Sequence, residues 1–316
     1  MYKVSVIVPV YGAEKYIGRC AVSLFEQSLD SIEYIFIDDC TPDGSMNILR
    51  DILEDYPSRQ KDTKILRMPH NSKQAAVRNL GLENCSGEYV IHCDPDDWVE
   101  KDIYEKMYNM ARETGADITC VNLIYETCSG QEFATYNATL KSPEDVIRSE
   151  RRKYWLPCHL VKRFIIENNH LRFFPNVNLW EDTGFLLRVY FYSTSIAYVQ
   201  DYLYHYNKTN ENSTTAGEPI ANIRQEVNCT ILLKQFFIDK NASTLYLDYV
   251  ETIQFKILRK ALVNGVELDE WRNFFPALSK SYLYNKNCKD PLMLRILLFL
   301  YSKGFTWPLG VLKKVL

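Results

Sequence analysis

Three carboxylates fall within four residues at Asp94-Pro-Asp-Asp97, directly after the apolar run Tyr89–Cys93. Like charges this close repel, so the cluster is costly unless a cation or hydrogen-bond donors offset it. Hard oxygen ligands of this kind suit Mg²⁺ or Mn²⁺, which completes its shell with water and substrate phosphates. The alternative is a solvated turn capping the helix that begins near Glu100, since Asp is favoured at caps. A second pair, Asp38-Asp39, also closes an apolar run, and Asp43-Gly-Ser45 then makes a turn that opens a helix. An ionised Asp only accepts, so Asp38 or Asp39 can take hydrogens from a base or a ribose hydroxyl. Turn chemistry is the competing role, and the one expected for Asp43. Arg78, in a helical segment of mostly short side chains between Asn71 and Asn79, can pair with a diphosphate or form an ordinary surface ion pair. A further acidic step, Glu181-Asp182 in Trp180-Glu-Asp-Thr-Gly-Phe185, can project into a cleft or cap the helix that follows.

These residues need elements to hold them. Val4–Val10, Tyr34–Ile37, Lys64–Met68, Tyr89–Cys93 and Ile118–Ile124 read as strands, and as continuous apolar runs they suit buried parallel strands. Between them, Glu14–Gln27, Ser45–Tyr56, Lys73–Asn84 and Asp102–Thr114 carry apolar residues at helical spacing. Alternating strands and helices predict an α/β domain with a mostly parallel sheet flanked by helices. In such open sheets ligands bind beyond the carboxyl ends of the strands, and here three strand ends are acidic or turn-forming. From about Thr119 to Gly217 strand-like and helical pieces mix, and after the polar stretch Asn207–Gly217 the pattern is helical.

Together these motifs resemble the inverting glycosyltransferases of family 2, which share the GT-A fold. The resemblance runs through Val8-Pro-Val-Tyr11 with Glu14, Ile37-Asp-Asp39, Asp43-Gly-Ser45, Asn71, Arg78-Asn79, Gly87-Glu-Tyr89, Asp94-Pro-Asp-Asp97, Glu181-Asp182, Tyr204 and Ser213. It covers roughly the first two-thirds of the chain. It implies that Pro9, Val10, Tyr11 and Glu14 line a nucleoside pocket, with Asp38 or Asp39 against the base. It implies that Asp94 lies on the ribose side and that Asp96 binds the cation bridging the diphosphate. It also implies that Asp182 is the general base, that UDP-sugar is the favoured donor, and that the acceptor is a glycan or lipid-linked hydroxyl in surface polysaccharide synthesis. The chain departs from the pattern at Gly12, where Asn is common, at Cys40 and Ser72, where Gly is common, and at Pro157-Cys-His159, where an Asn-Lys pair is frequent. His159 is either a replacement for that Lys or a structural residue. Trp98, Phe173, Phe174 and Trp180 could stack on sugars or fill core. Tyr204, His205 and Tyr206 are expected to follow a strand and close over the donor, with His205 a candidate extra metal ligand.

The expected organisation is a catalytic domain over 1–215 and a helical region over 216–316. A net charge of −3 from 37 basic and 40 acidic residues gives no basic footprint for nucleic acid. Nine cysteines without a C-x-x-C pair suggest a reducing compartment, and the start of the chain lacks signal-peptide character, so the expected location is cytoplasmic. Residues after Lys289 hold an apolar run of about ten, too short for a span of ~20. That run suits either peripheral contact at the inner membrane face or a helix packed on the protein or a dimer partner. Two other functions fit an α/β site with acids and a metal. A nucleotidyltransferase would want a Gly-rich basic phosphate loop, which Val8-Pro-Val-Tyr-Gly12 is not. A non-catalytic nucleotide- or carbohydrate-binding module would not need both Asp96 and Asp182.

Overall fold

The computed structural model describes residues 1–149, 154–210 and 218–305. The chain divides into two compact units, Met1–Asn212 and Ser213–Leu316. The first opens with β1 (Val4–Val10), α1 (Ile17–Phe25), β2 (Ile32–Asp38), α2 (Ser45–Glu54), α3 (Pro57–Gln60), β3 (Thr63–Arg67), α4 (Lys73–Asn84) and β4 (Tyr89–His92). It continues with β5 (Trp98–Val99), α5 (Ile103–Thr114), β6 (Ile118–Thr127), β7 (Gly130–Ala134), α6 (Pro143–Arg148), β8 (His159–Lys162), α7 (Arg163–Asn168), α8 (Glu181–Tyr192) and β9 (Ile196–Asn207). The strands make one sheet in the order β3-β2-β1-β4-β8-β6-β9-β5, with β7 added to β6. The pairings β1–β2, β1–β4, β2–β3 and β6–β9 are parallel, and β8 enters antiparallel between β4 and β6.

Period-two alternation sorts the strand side chains onto two cores. Val4, Val6, Val8 and Val10 of β1 pack with Ile17 and Leu24 of α1, Leu49 of α2 and Met107 of α5 on one face. Ile7 packs on the other with Ala75 and Val77 of α4, Ile166 of α7 and Phe185 of α8. Every residue of β1 and β2 is buried, which is why these runs are apolar without interruption. Helix α4 lies so close to the sheet that a Cβ on Gly81 would meet Ile7 Cγ2 at 2.4 Å. That approach sets the depth of Arg78, one turn earlier on the same helix.

The amino-terminal edge of the sheet is tied by a buried carboxylate. Glu33 accepts from Ser5 Oγ (2.5 Å), Ser86 Oγ (2.9 Å), the Gly87 N–H (2.9 Å) and Lys64 Nζ (3.0 Å). Burial pushes its pKa up, but the bonds from Ser5, Ser86 and Lys64 outweigh this and hold it below the ordinary value. Gly87 is required there because a Cβ would lie 2.7 Å from the Ser5 nitrogen and 2.8 Å from the Val4 carbonyl carbon. The opposite, carboxyl-terminal edge is left to carry chemistry.

The second unit is helical: α9 (Pro219–Asp239), α10 (Thr244–Val263), α11 (Leu268–Phe274), α12 (Pro276–Ser281) and α13 (Leu292–Ser302). Glu218 caps α9 by accepting from the backbone of Ile220 and Ala221, with Pro219 at the first helical position. Lys234–Glu251 (2.9 Å) and Lys260–Glu226 (2.5 Å) bridge α9 to α10. Trp271 is fully buried and donates Nε1–H to the Leu258 carbonyl at 2.6 Å. No helix of the described residues is long and apolar enough to cross a membrane.

Candidate active site

The three acids after β4 have different fates. Asp97 is buried, accepting from Tyr204 Oη–H at 2.5 Å and from the Asn207 N–H at 2.8 Å, so it fastens the acidic loop to β9. Burial first, then repulsion from Asp96 and Asp94, pushes its pKa well up. Asp96 takes the side-chain amide of Asn210 at 2.8 Å, and burial together with the Asp94 charge raises its pKa. Asp94 accepts from Arg78 Nη2 at 2.8 Å. The cap proposed as the alternative role does not form: α5 begins at Ile103, behind Asp102, and makes no side-chain bond to the cluster.

Arg78 is neither free to meet a ligand nor on the surface. Only 3% exposed, its guanidinium forks between Asp94 and Glu181 of α8. It thus links the loop after β4 to the first turn of α8. Glu181 is pushed up to about 7, by burial first and by the neighbouring Asp182, against the lowering influence of Arg78. Asp182 is half-buried; its Oδ1 accepts the Thr183 N–H at 2.6 Å, and burial raises its pKa. The N-cap of α8 is Trp180, in a left-handed conformation (φ 66°), so Asp182 is the second residue of the helix and not its cap.

The other loops at this edge are braced from within. The side chains of Pro9 and Val10 are buried, so at the end of β1 they can meet a ligand only through the backbone; Tyr11 is exposed. Glu14 accepts the Gly44 N–H at 2.9 Å while its own N–H donates to Asp43 at 3.0 Å, stitching the β1–α1 loop to the β2–α2 loop. Asp43 also accepts from Thr41 Oγ1 (2.7 Å) and Ser45 Oγ (2.5 Å), and so does turn chemistry. Asp39 spends both oxygens on the N–H groups of Ser72 (2.6 Å) and Lys73 (2.9 Å) at the start of α4. Asp38 accepts the Thr41 N–H at 2.8 Å and faces Arg67 Nε at 3.4 Å. Each carboxylate oxygen keeps a second lone pair for a nucleoside donor.

His159 is a core residue. Its Nδ1–H donates to the Trp155 carbonyl at 2.6 Å, Nε2 meets Tyr190 Oη at 2.9 Å, and burial lowers its pKa to about 4. Tyr204, His205 and Tyr206 lie inside β9, not after a strand, because the chain runs parallel to β6 through a bulge as far as Asn207. His205 has Glu126 at 2.7 Å on one ring nitrogen and Glu100 at 2.9 Å on the other, and stacks on Trp98 at 4.9 Å. That leaves neither nitrogen turned to a metal. Phe173 stacks on Phe185 in the core at 4.3 Å, and Phe174 carries the Arg188 guanidinium. Ser213 and the tail residues Trp307, Leu309, Val311, Leu312, Lys313 and Lys314 lie outside the described residues.

Among the described residues no three His, Cys, Asp or Glu side chains converge into a metal cage. A cation that rides on a diphosphate needs only one or two carboxylates, the rest of its shell being phosphate and water. Asp96 fits that demand: it is half-buried beside a like charge, and its side-chain partner is a neutral amide. Sequence reasoning missed two participants. Glu181 was legible only as the neighbour of Asp182, and its pairing with Arg78 spans 103 positions. Asn210 carried no signal beyond the polar character of its segment.

A family model described as "Glycosyl transferase family 2" matches residues 5–174. The chain is 31% identical over 218 residues to the putative glycosyltransferase EpsH of Bacillus subtilis, a match covering 64% of this chain and 60% of that protein. Among solved structures it resembles Staphylococcus aureus TarS 1-349 in complex with UDP-GlcNAc, with a TM-score of 0.73, 21% identity, and coverage of 99% of this chain and 90% of that one. It also resembles the mannosyltransferase PcManGT from Pyrobaculum calidifontis in complex with GDP-Man and Mn²⁺, with a TM-score of 0.59, 14% identity, and coverage of 96% and 87%. At these identities the structural likenesses establish the fold, which is GT-A.

Proposed function

The chain belongs to glycosyl transferase family 2, and from that premise we propose that it moves one sugar, with inversion, from a nucleoside-diphosphate donor to a hydroxyl of a growing surface glycan or lipid-linked acceptor. A UDP-sugar is the favoured donor, supported by the UDP-GlcNAc held by the similar TarS structure. The observation that carries the proposal is the meeting of Asp94, Arg78 and Glu181 at one sheet edge, which brings the acidic loop and the Glu181-Asp182 step into one site.

In the mechanism, the loops after β1 and β2 receive the nucleoside through Tyr11, the backbone of Pro9 and Val10, and the remaining lone pairs of Asp38 and Asp39. Glu14 holds those loops together. Asp94 orients the donor on its ribose side, and Asp96 is the residue that would hold Mg²⁺ or Mn²⁺ beside the donor. The cation would neutralise charge on the departing diphosphate. Asp182 takes the acceptor proton, and its raised pKa makes it a stronger base than an ordinary Asp. The acceptor oxygen bonds to the anomeric carbon from the face opposite the breaking bond, whose electron pair leaves on the diphosphate. One displacement with one base gives inversion. Nine unpaired cysteines suit a reducing, cytoplasmic setting.

The test is Asp182→Asn, assayed for transfer and for UDP binding. The amide keeps the shape but has no basic oxygen, so the variant should fold, bind UDP and lose roughly 10²–10⁴-fold in turnover. Transfer at more than about a tenth of the parental rate would remove the base assignment. Donor hydrolysis by the parent separates an enzyme from a binding module.

A further inference from the structure

Helix α13 is apolar on two opposite faces, and only one of them is covered. Leu294, Leu297, Leu298 and Tyr301 are buried. On the other side Leu292 is 65% and Met293 69% exposed, and Ile296 lies between them one turn on. The rotation of the helix is pinned: the Arg295 guanidinium donates to the carbonyls of Tyr282 (3.3 Å), Leu283 and Asn285 (3.1 Å). The exposed face therefore cannot roll inward. Tyr284, itself exposed, packs edge-on against Phe299 at 6.1 Å, and Lys303 Nζ sits 5.3 Å over the same ring, extending the patch with an aromatic and a cation. A helix apolar on two faces ordinarily covers both, so this exposed face is suited to a further contact.

Charge identifies that partner's chemistry. Residues 271–316 hold eight Lys or Arg against one acid, Asp290, in a chain whose net charge is −3. Asp290 is itself spent on Arg259 (2.7 Å) and Tyr282 (2.8 Å). Lys289 and Lys303, on either side of the helix in sequence, are exposed, whereas Lys286 is paired with Asp248 at 3.0 Å. A short apolar ridge with an exposed aromatic residue, flanked in sequence by the exposed Lys289 and Lys303, is the composition of an element that lies in the headgroup region of an anionic bilayer. We propose that the Leu292–Met293–Ile296 face of α13 docks the chain onto an anionic lipid surface, as a peripheral contact and not a span. The proposal does not rest on the transfer reaction.

The test is flotation of the full chain with phosphatidylcholine vesicles, with and without about a third phosphatidylglycerol, at low and high salt. The parent should bind the anionic vesicles at low salt and lose about tenfold or more at high salt. The triple variant Leu292→Ser, Met293→Ser, Ile296→Ser, altered only at solvent-facing positions, should lose at least about tenfold. Lys289→Gln and Lys303→Gln should each lose about fivefold. UDP binding, unchanged in all of them, would report an intact first unit. Absence of flotation, equal binding to neutral and anionic vesicles, or an unchanged triple variant would each overturn the proposal. So would vesicle-free self-association that the triple variant abolishes, which would assign the face to a second copy.

Discussion

Replacing Arg78 with Met removes a cation that is 3% exposed and leaves Asp94 and Glu181 facing each other without it. Stripping one partner from a buried ion pair costs about 3–5 kcal/mol when the remaining charge stays ionised. Here the remaining charge can be discharged. Glu181 is already raised to about 7, and without Arg78, its one lowering neighbour, its pKa rises further. Near pH 5.5 both parent and variant hold the Glu181 proton, so the deficit should be only the lost packing and the Asp94 bond, about 1–2 kcal/mol. Above pH 7 the folded parent gives up that proton while the folded variant and not the unfolded chain retains it. The unfolded state then binds fewer protons than the folded variant, so the variant's stability falls with pH by up to about 1.4 kcal/mol per unit. The deficit should reach about 3–5 kcal/mol by pH 8.5.

Urea unfolding at pH 5.5 and 8.5, followed on parent and variant together, reads this difference directly. Arg78→Lys should fall between, because a single ammonium keeps the charge but cannot fork to both carboxylates. Equal deficits at the two pH values within about 0.5 kcal/mol would refute the coupling of Arg78 to Glu181, the group on which the expected pH dependence mainly rests.

Asp96→Ala should abolish the dependence of UDP affinity on Mn²⁺ measured by calorimetry, leaving the residual affinity the same in Mn²⁺ and in chelator; a retained metal effect would move the cation elsewhere. The acid limb of turnover should lie above the ordinary Asp value of 3.8, because burial raises Asp182 and the base works only when deprotonated; a limb at or below that value would contradict the raised pKa.

Strand ends are what the sequence makes most legible. The runs Val4–Val10 and Tyr89–Cys93 read as strands because both faces of the sheet are covered, and the acids after them stand out against that background. What the sequence hides is which acids are already spoken for. Asp39 looked as available as Asp96, yet each of its oxygens already accepts an N–H at a helix start where Lys73 takes a positive φ of 68°, a conformation no residue type there announces. Asp97 was one of three equivalent carboxylates until β9 arrived with Tyr204 and Asn207 from 107 and 110 positions away. The antiparallel entry of β8 and the bulged length of β9 are likewise long-range pairings, which local periodicity does not report.

Glu33 at one edge of the sheet and the acids after β4 and at the start of α8 at the other are treated in opposite ways, and that contrast bears on function. At the amino-terminal edge Glu33 receives donors from Ser5, Ser86, Gly87 and Lys64, and its pKa is lowered: the charge is satisfied and contributes stability at neutral pH. At the carboxyl-terminal edge Asp96, Asp97, Glu181 and Asp182 are all raised, with burial as the largest cause. Each of these ionised groups costs the folded chain stability above its ordinary pKa, and that cost persists only where the surrounding structure enforces it. Arg78 offsets part of it, for Glu181 and Asp182, but not the part at Asp96. A ligand that brings positive charge to Asp96 would remove a penalty the free protein carries, so its binding energy would include relief of that repulsion as well as new contacts. On the proposed reading a cation arriving with the anionic donor would offset this charge, whereas the diphosphate alone would add negative charge to the same place.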